Sequence, residues 1–244
     1  MTEQVFKNII FKIKKEKNII VLMDYNKYCK YIQIIKEKVK YNNDIYSENK
    51  DLFDLSEIAV LIWGLFALSI ADFLNKDDEH IGIIFHSLTT QISNNMLSIL
   101  ILCNNSLDHQ TGIIMRSTCE LCFSLLVLLI NKEKRQKYFD TARLNNEIDI
   151  WNKEFKLKDL NDESSKFENS ISKNTYISKR LSKFRNDIYR KYSEYTHNSF
   201  FNCLANSYTY NKNSKELMNY NLWGEKSSRV ERFLISLCQL NLFA

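Results

Sequence analysis

Apolar residues recur at intervals of three and four over most of the chain, the spacing that places side chains on one face of an α-helix. Phe85, Leu88, Ile92 and Met96 keep this spacing in one typical stretch. Short polar breaks separate the segments that follow the pattern. The pattern predicts helices over about 2–17, 18–41, 52–74, 80–104, 107–131, 133–156, 174–197 and 225–243.

The predicted helix 107–131 has apolar residues on every side, which is typical of a helix enclosed by its neighbours. We therefore predict an all-α fold, an up-and-down helical bundle with this helix at its buried centre. The polar segment Tyr41–Lys50 separates an N-terminal helical extension, residues 1–50, from the helical bundle domain, residues 51–244. Inside the bundle, Lys158–Ser172 is the one long segment with loop composition, so we predict a loop there.

The amino-acid composition supports the same fold class. The chain of 244 residues contains no Pro and 4 Gly, whereas average usage gives about 12 Pro and about 17 Gly at this length. Sheet proteins need both residues at their tight turns, so the deficit argues against barrels, sandwiches and nucleotide-binding folds built on glycine loops. An AT-rich genome would also lower the Pro and Gly content and would explain part of this deficit.

Charge and cysteine content predict a cytoplasmic protein. The net charge is +5 and the lysines are spread along the chain, so any attraction to nucleic acid is mild. Six cysteines without a secretory leader indicate reduced thiols in the cytosol. The longest charge-free apolar run, Ile58–Ala71, is shorter than the roughly 18–20 residues that cross a bilayer. We therefore expect a core helix there and no membrane insertion.

Three polar residues share one face of the predicted central helix. At 100° per residue, His109 and Glu120 lie within about 40° of Arg116. Arg116 and Glu120 are four residues apart and can form an ion pair, which a buried charge requires. Two interpretations stay open. The pair either fixes the packing of neighbouring helices or belongs to a functional pocket, because perturbed charges are found in both.

A second polar face is predicted on helix 174–197. Arg190 and His197 are seven residues apart, so they point in nearly the same direction two turns from each other, and Asn186 and Ser193 share their face. A His transfers protons near neutral pH and an Arg neutralises phosphate charge, so the pair suits phosphodiester chemistry. A solvated helix face explains the same spacing equally well.

No pattern in the sequence indicates a metal or a cofactor. Cys119 and Cys122 form a lone C-x-x-C inside an apolar helix, and the chain has no second pair at the spacing of a zinc site. We interpret both cysteines as small core residues. The sequence also contains no P-loop and no dinucleotide-binding fingerprint.

Two segments together resemble a known family. Ile114–Glu120 (IMRSTCE) and Tyr189–Ser199 (YRKYSEYTHNS) are similar to an uncharacterised bacterial family of helical domains. In that family an R-S-x-x-E helix is followed, about 70 residues later, by a tyrosine-rich S-x-x-x-H segment. The likeness covers roughly residues 80–200. The family is in turn similar to the HEPN superfamily of helical bundles, many of which are metal-independent RNases of defence and toxin systems.

The resemblance implies a function and a site. In HEPN proteins, an Arg and a His that are separated by four to six residues form the site, usually across a homodimer cleft. Carried over to this chain, Arg190 and His197 would be catalytic, while Arg116 and Glu120 match the other family signature. The residue after the Arg is commonly small and polar, whereas here it is Lys191.

The resemblance therefore implies an endoribonuclease that acts on RNA without metal or cofactor. It also implies a homodimer with an antitoxin or defence-system partner protein. Arg116, Glu120, Ser193, Asn186 and His109 are candidates for binding or supporting roles in this site. Two other functions stay open: a non-catalytic helical binding or assembly subunit of a defence locus, and a peripheral membrane protein anchored through helix 52–74.

Overall fold

The computed structural model describes residues 3, 4, 7, 24–74, 79–144, 155–171, 175–196, 208–210, 217–220 and 229–243. This part of the chain is almost entirely helical, which confirms the all-α prediction. Its helices are α1 (Tyr25–Val39), α2 (Asn43–Glu48), α3 (Lys50–Leu74), α4 (Glu79–Asn104), α5 (Asp108–Ile130), α6 (Lys132–Leu144), α7 (Leu157–Ile171), α8 (Thr175–Ser193) and α9 (Val230–Phe243).

Most predicted helices agree with the observed ones, with ends that differ by a few residues. The predicted helix 2–17 and the end of the predicted helix 133–156 fall mostly outside the described residues. Between the predicted helices 174–197 and 225–243, the structure contains two short strands that were not expected. The strands β1 (Tyr208–Tyr210) and β2 (Leu217–Tyr220) pair antiparallel.

The chain forms two compact units, Met1–Lys40 and Tyr41–Ala244. In the first unit, Asp24 caps α1, because its side chain accepts a hydrogen bond from the Lys27 amide at 2.8 Å. The second unit begins with Tyr41, whose hydroxyl donates to Glu57 at 2.7 Å. The division into an extension, residues 1–50, and a bundle domain, residues 51–244, stays a prediction.

Helix α5 is central to the second unit, as its apolar residues on every side predicted. It packs against α4, α6, α7, α8 and α9. Met115, Cys119, Val127 and Leu128 on this helix have no exposed surface. Because α5 contacts five other helices, residues of these helices that face it are positioned relative to α5.

Two described helices are long and apolar enough to cross a membrane by length and composition. They are α3 over Lys50–Ser69 and α5 over Asp108–Ile130. The charge-free run Ile58–Ala71, which is shorter than a bilayer-spanning segment, is only part of α3. Nearly half of each window is buried inside the protein, which core helices of a soluble protein also show. Cytoplasmic location and absence of membrane insertion stay predictions.

The segment Lys158–Ser172 was predicted to be a loop, and this prediction was wrong, because Leu157–Ile171 forms α7. Leu160, Asn161 and Ser164 are buried on one face of this helix. The apolar spacing that reveals other helices is weak here, since two of these three residues are polar. Ser164 Oγ donates to the Leu160 carbonyl of the same helix, and Asn161 accepts from a residue of α8.

That residue is Arg185, a buried cation that ties α7 to α8. Its Nε donates to Asn161 Oδ1 at 2.7 Å, and its Nη2 donates to Ser165 Oγ and to Glu168 Oε2, both at 3.1 Å. Its Nη1 donates to the other oxygen of Glu168. The Arg185 side chain is 4% exposed and that of Glu168 is 13% exposed. Burial of the charge is therefore compensated by a bidentate carboxylate and two further acceptors.

We predict that Arg185→Met lowers the free energy of unfolding by about 3–5 kcal/mol, because it leaves the Glu168 carboxylate buried without its partner. Urea unfolding followed by circular dichroism measures the change. The matched control is Lys137→Met, which removes an exposed ion pair with Glu133 on α6 and should cost less than about 1 kcal/mol. Equal losses in the two variants would contradict a structural role for Arg185.

Candidate functional site

The two motif segments of the sequence meet where α5 packs against the end of α8. Arg116 of α5 reaches across the interface. Its Nε donates to Glu120 Oε1 at 3.2 Å, its Nη2 donates to the Tyr189 hydroxyl at 3.0 Å, and its Nη1 donates to Thr196 Oγ1. We call Arg116, Glu120, Tyr189 and Thr196 the Arg116 cluster. The predicted ion pair between Arg116 and Glu120 is present.

Further hydrogen bonds hold the partners of Arg116 in place. The Tyr189 hydroxyl donates to Glu120 Oε1 at 3.0 Å, so this carboxylate oxygen accepts from both the guanidinium and the phenol. Thr196 Oγ1 donates to the Ser193 carbonyl at 2.8 Å, and Ser193 Oγ donates to the Tyr189 carbonyl at 2.8 Å. The Arg116 guanidinium also lies 5.2 Å from the centre of the Tyr189 ring, within the range of a cation–π contact.

The Arg116 cluster is open to solvent. The side chains of Arg116 and Glu120 are 24% and 33% exposed. Burial lowers the pKa of the Arg116 guanidinium, but the charges and hydrogen bonds of Tyr189 and Glu120 outweigh burial, so the pKa is raised above its ordinary value. Arg116 is therefore a permanent cation with an exposed part. Such a group can bind an anion, for which a guanidinium offers fixed pairs of N–H donors.

The other predicted site residues are distributed around α8 and α5. Arg190 and Asn186 are exposed and Ser193 is partly exposed, as predicted for the polar face of α8. No contact in the described part of the chain joins Arg190 or Asn186 to the Arg116 cluster. His109 is partly buried, and its ring centre lies 6.4 Å from that of Tyr195. His197 lies outside the described residues, and Thr196 is the residue before it in the chain.

Two members of the cluster were missed by the sequence analysis, although a signal for them existed. Tyr189 and Thr196 are seven residues apart, the same spacing that singled out Arg190 and His197. They mark a neighbouring face, about 100° away on a helix, and this is the face that meets α5. The seven-residue spacing indicated a functional face on this segment, but it did not show which of the two faces contacts α5.

Gly112 of α5 determines how closely the end of α8 approaches. The ring of Tyr195 lies directly over this glycine, and a Cβ built on Gly112 would overlap Tyr195 Cγ. No side chain fits in this space. Tyr195 is buried against Tyr192 and Phe233. Because Thr196 follows Tyr195 directly, the glycine also positions the hydroxyl that Arg116 contacts.

Lys191 departs from the small polar residue expected after the Arg of HEPN proteins, and its side chain does not share the exposed face of Arg190. Its Nζ donates to Ser236 Oγ on α9 at 2.8 Å and lies 5.0 Å from the centre of the Tyr192 ring. Burial and the charge of Arg232 lower the pKa of Lys191 to about 8, and Cys119 has a smaller effect in the opposite direction. Lys191 therefore joins α8 to α9.

Cys119 and Cys122 are core residues, as predicted. Both are buried, and burial raises the pKa of each thiol above its ordinary value. They therefore stay protonated at neutral pH. Among the described residues, no group of His, Cys, Asp and Glu is arranged to hold a metal ion.

A family model described as a family of unknown function (DUF5677) matches residues 82–220. The match covers more than half of the chain and includes both motif segments, in agreement with the resemblance to an uncharacterised family. The similarity to HEPN proteins stays a prediction. No curated protein and no solved structure matches the sequence.

We predict that Gly112→Ala destabilises the protein by about 1–3 kcal/mol, because the added methyl overlaps the Tyr195 ring. Gly64→Ala on α3 is the matched control. Its methyl would meet the nearest atom, Ser93 Oγ, at 3.5 Å, so the gain in helix propensity of up to about 1 kcal/mol should dominate. Urea unfolding of the two variants should therefore give opposite signs. A stabilising Gly112→Ala would contradict the close contact.

We also predict that stability rises with pH between about 8 and 10.5 through Lys191. The ordinary lysine pKa of 10.5 falls to about 8 in the folded protein. In this window the unfolded chain therefore binds more protons than the folded one, so deprotonation favours folding. Lys191→Met should remove this increase in urea unfolding at pH 7.5, 9 and 10. Lys183→Met, at an exposed position on the same helix, should retain it, and identical pH profiles would refute the prediction.

Proposed function

The chain belongs to the DUF5677 family, and we propose that it is a metal-independent endoribonuclease of a bacterial defence or toxin system. One observation carries the proposal. The Arg116 guanidinium of the R-S-x-x-E helix contacts Thr196, the residue before His197 in the S-x-x-x-H segment. Two motifs that are far apart in the sequence thus contribute to one polar cluster that solvent reaches.

In this proposal, His197 transfers the protons. The ribose 2′-oxygen loses its proton to the imidazole and attacks the adjacent phosphorus, while the bond from phosphorus to the 5′-oxygen breaks. The imidazolium then returns a proton to the leaving 5′-oxygen. The products are a 2′,3′-cyclic phosphate and a 5′-hydroxyl, and the reaction requires no metal. Arg190 and Arg116 are cations suited to stabilising the negative charge that develops on the phosphoryl oxygens.

The proposal includes a homodimer that is neutralised or recruited by an antitoxin or another defence-system protein. The homodimer follows from the HEPN resemblance, in which the site spans two protomers. These partners belong to the proposal together with the cytoplasmic location.

A second candidate function is a non-catalytic binding or assembly subunit. One observation favours it: Glu120, Tyr189 and Thr196 occupy all three guanidinium nitrogens of Arg116. An Arg that fixes helix packing is expected to have partners of this kind at its nitrogens. The two candidates differ in what they require of His197, which only the nuclease needs for chemistry.

We predict that the purified protein cleaves a fluorescent single-stranded RNA in the presence of EDTA. His197→Ala should lower the cleavage rate about 10²–10⁴-fold, the usual loss when a general acid–base is removed. His86→Ala is the matched control, because His86 is exposed on α4 and should keep the wild-type rate. A substrate with 2′-deoxyribose at the cleaved position should resist cleavage.

Thermal unfolding of each variant separates chemistry from folding. In the nuclease, His197→Ala and Arg190→Ala lose activity at an unchanged melting temperature. Intact RNA with the wild-type protein, or equal cleavage by His197→Ala, would remove the nuclease proposal. The binding or assembly role would then remain, and Arg116→Ala should weaken it through the stability of the α5–α8 interface.

A further inference from the structure

Two cations, Lys191 and Arg232, lie where α8 packs against α9, on the side of α8 away from the Arg116 cluster. Lys191 Nζ donates to Ser236 Oγ at 2.8 Å. Arg232 lies one turn before Ser236 on α9, so the two residues share a helix face, and Ser236 Oγ donates to the Arg232 carbonyl at 2.9 Å. The serine therefore holds the ammonium group next to the helix turn that carries the guanidinium.

Within the described part of the chain, these two cations have no carboxylate partner. The groups that act on the Lys191 ammonium are Arg232 and Ser236 of α9, Cys119 of α5 and the Tyr192 ring. Glu194 and Glu231 are the nearest acidic residues in the sequence, and both are exposed. Neither forms an ion pair with Lys191 or Arg232 among the described contacts.

The arrangement produces a concentrated positive potential at a partly accessible position. Lys191 is partly buried and Arg232 is exposed. Arg232 also lies in the first turn of α9, where the helix dipole adds positive potential. Two like charges held together destabilise each other, and the lowered pKa of Lys191 reflects this repulsion as well as burial. An anion bound between the two cations would remove the repulsion.

We propose that Lys191 and Arg232 form a binding site for a phosphate group, with Ser236 as the positioning residue for Lys191. The ammonium uses one of its three N–H groups on Ser236 and faces the Tyr192 ring, so it retains donor capacity for a ligand. The guanidinium supplies two parallel donors for phosphate oxygens. The phosphate belongs either to a free phosphate compound or to the backbone of RNA. This site stands independently of the proposed nuclease function.

The first test measures melting temperature in inorganic phosphate and in chloride of equal ionic strength at pH 7.5. The wild-type protein should gain about 5 °C when phosphate exceeds its Kd roughly 50-fold. Lys191→Gln and Arg232→Gln should each lose most of this gain. Lys183→Gln changes an exposed cation of α8 and should keep it. Both site variants should fold, because each removes one of two repelling charges.

The second test distinguishes the sources of the phosphate. Fluorescence anisotropy measures binding of a 2′-O-methyl RNA oligonucleotide, which the proposed reaction cannot cleave. An RNA affinity that falls about tenfold or more in both site variants assigns the site to the RNA backbone. A response to inorganic phosphate alone assigns it to a free phosphate compound. Equal responses of wild type and site variants to both probes, or no response to either, would overturn the proposal. Neither readout depends on RNA cleavage.

Discussion

The contact between Gly112 of α5 and the Tyr195 ring is the constraint on which the site depends. Without a side chain at this position, the end of α8 can lie directly on the central helix. The approach brings Tyr189 and Thr196 within hydrogen-bonding distance of Arg116. A larger residue at 112 would force the two backbones apart, and the Arg116 cluster would open with them. A single glycine thus controls a polar site four residues away on the same helix.

Helix α8 is held to its neighbours by three cations as well as by apolar packing. Arg185 of α8 donates to Glu168 of α7, and Lys191 of α8 donates to Ser236 of α9. Arg116 of α5 donates to Tyr189 of α8. The buried apolar residues of this segment are Ile188, Tyr192 and Tyr195. Hydrogen bonds are directional, so they fix the rotation and register of a helix more narrowly than apolar contacts of the same area.

Sequence spacing predicted the features that depend on one helix at a time. The all-α class, the buried α5 and the Arg116–Glu120 pair all follow from periodicities of three and four residues. Spacing failed where a residue's partner is distant in the chain. The α7 segment was mistaken for a loop because some of its polar residues are buried. Asn161 accepts from Arg185 of α8, and Ser164 donates to the Leu160 carbonyl of its own helix. The sequence pattern does not separate such buried polar residues from exposed ones. Likewise, Tyr189 has no partner in its own segment, since Arg116 is 73 residues away.

The two cationic groups beside α8 differ in how they hold their charge. Arg116 has a carboxylate and a phenol as partners, which raise its pKa, so its charge is constant at any physiological pH. Lys191 has another cation as its neighbour, and its pKa falls to about 8. A group near its pKa gains charge when an anion approaches, so binding of a phosphate at Lys191 would be accompanied by proton uptake. With the proposed phosphate bound, the two sides of α8 would carry one cation of constant charge, Arg116, and one cation whose charge changes with the ligand, Lys191.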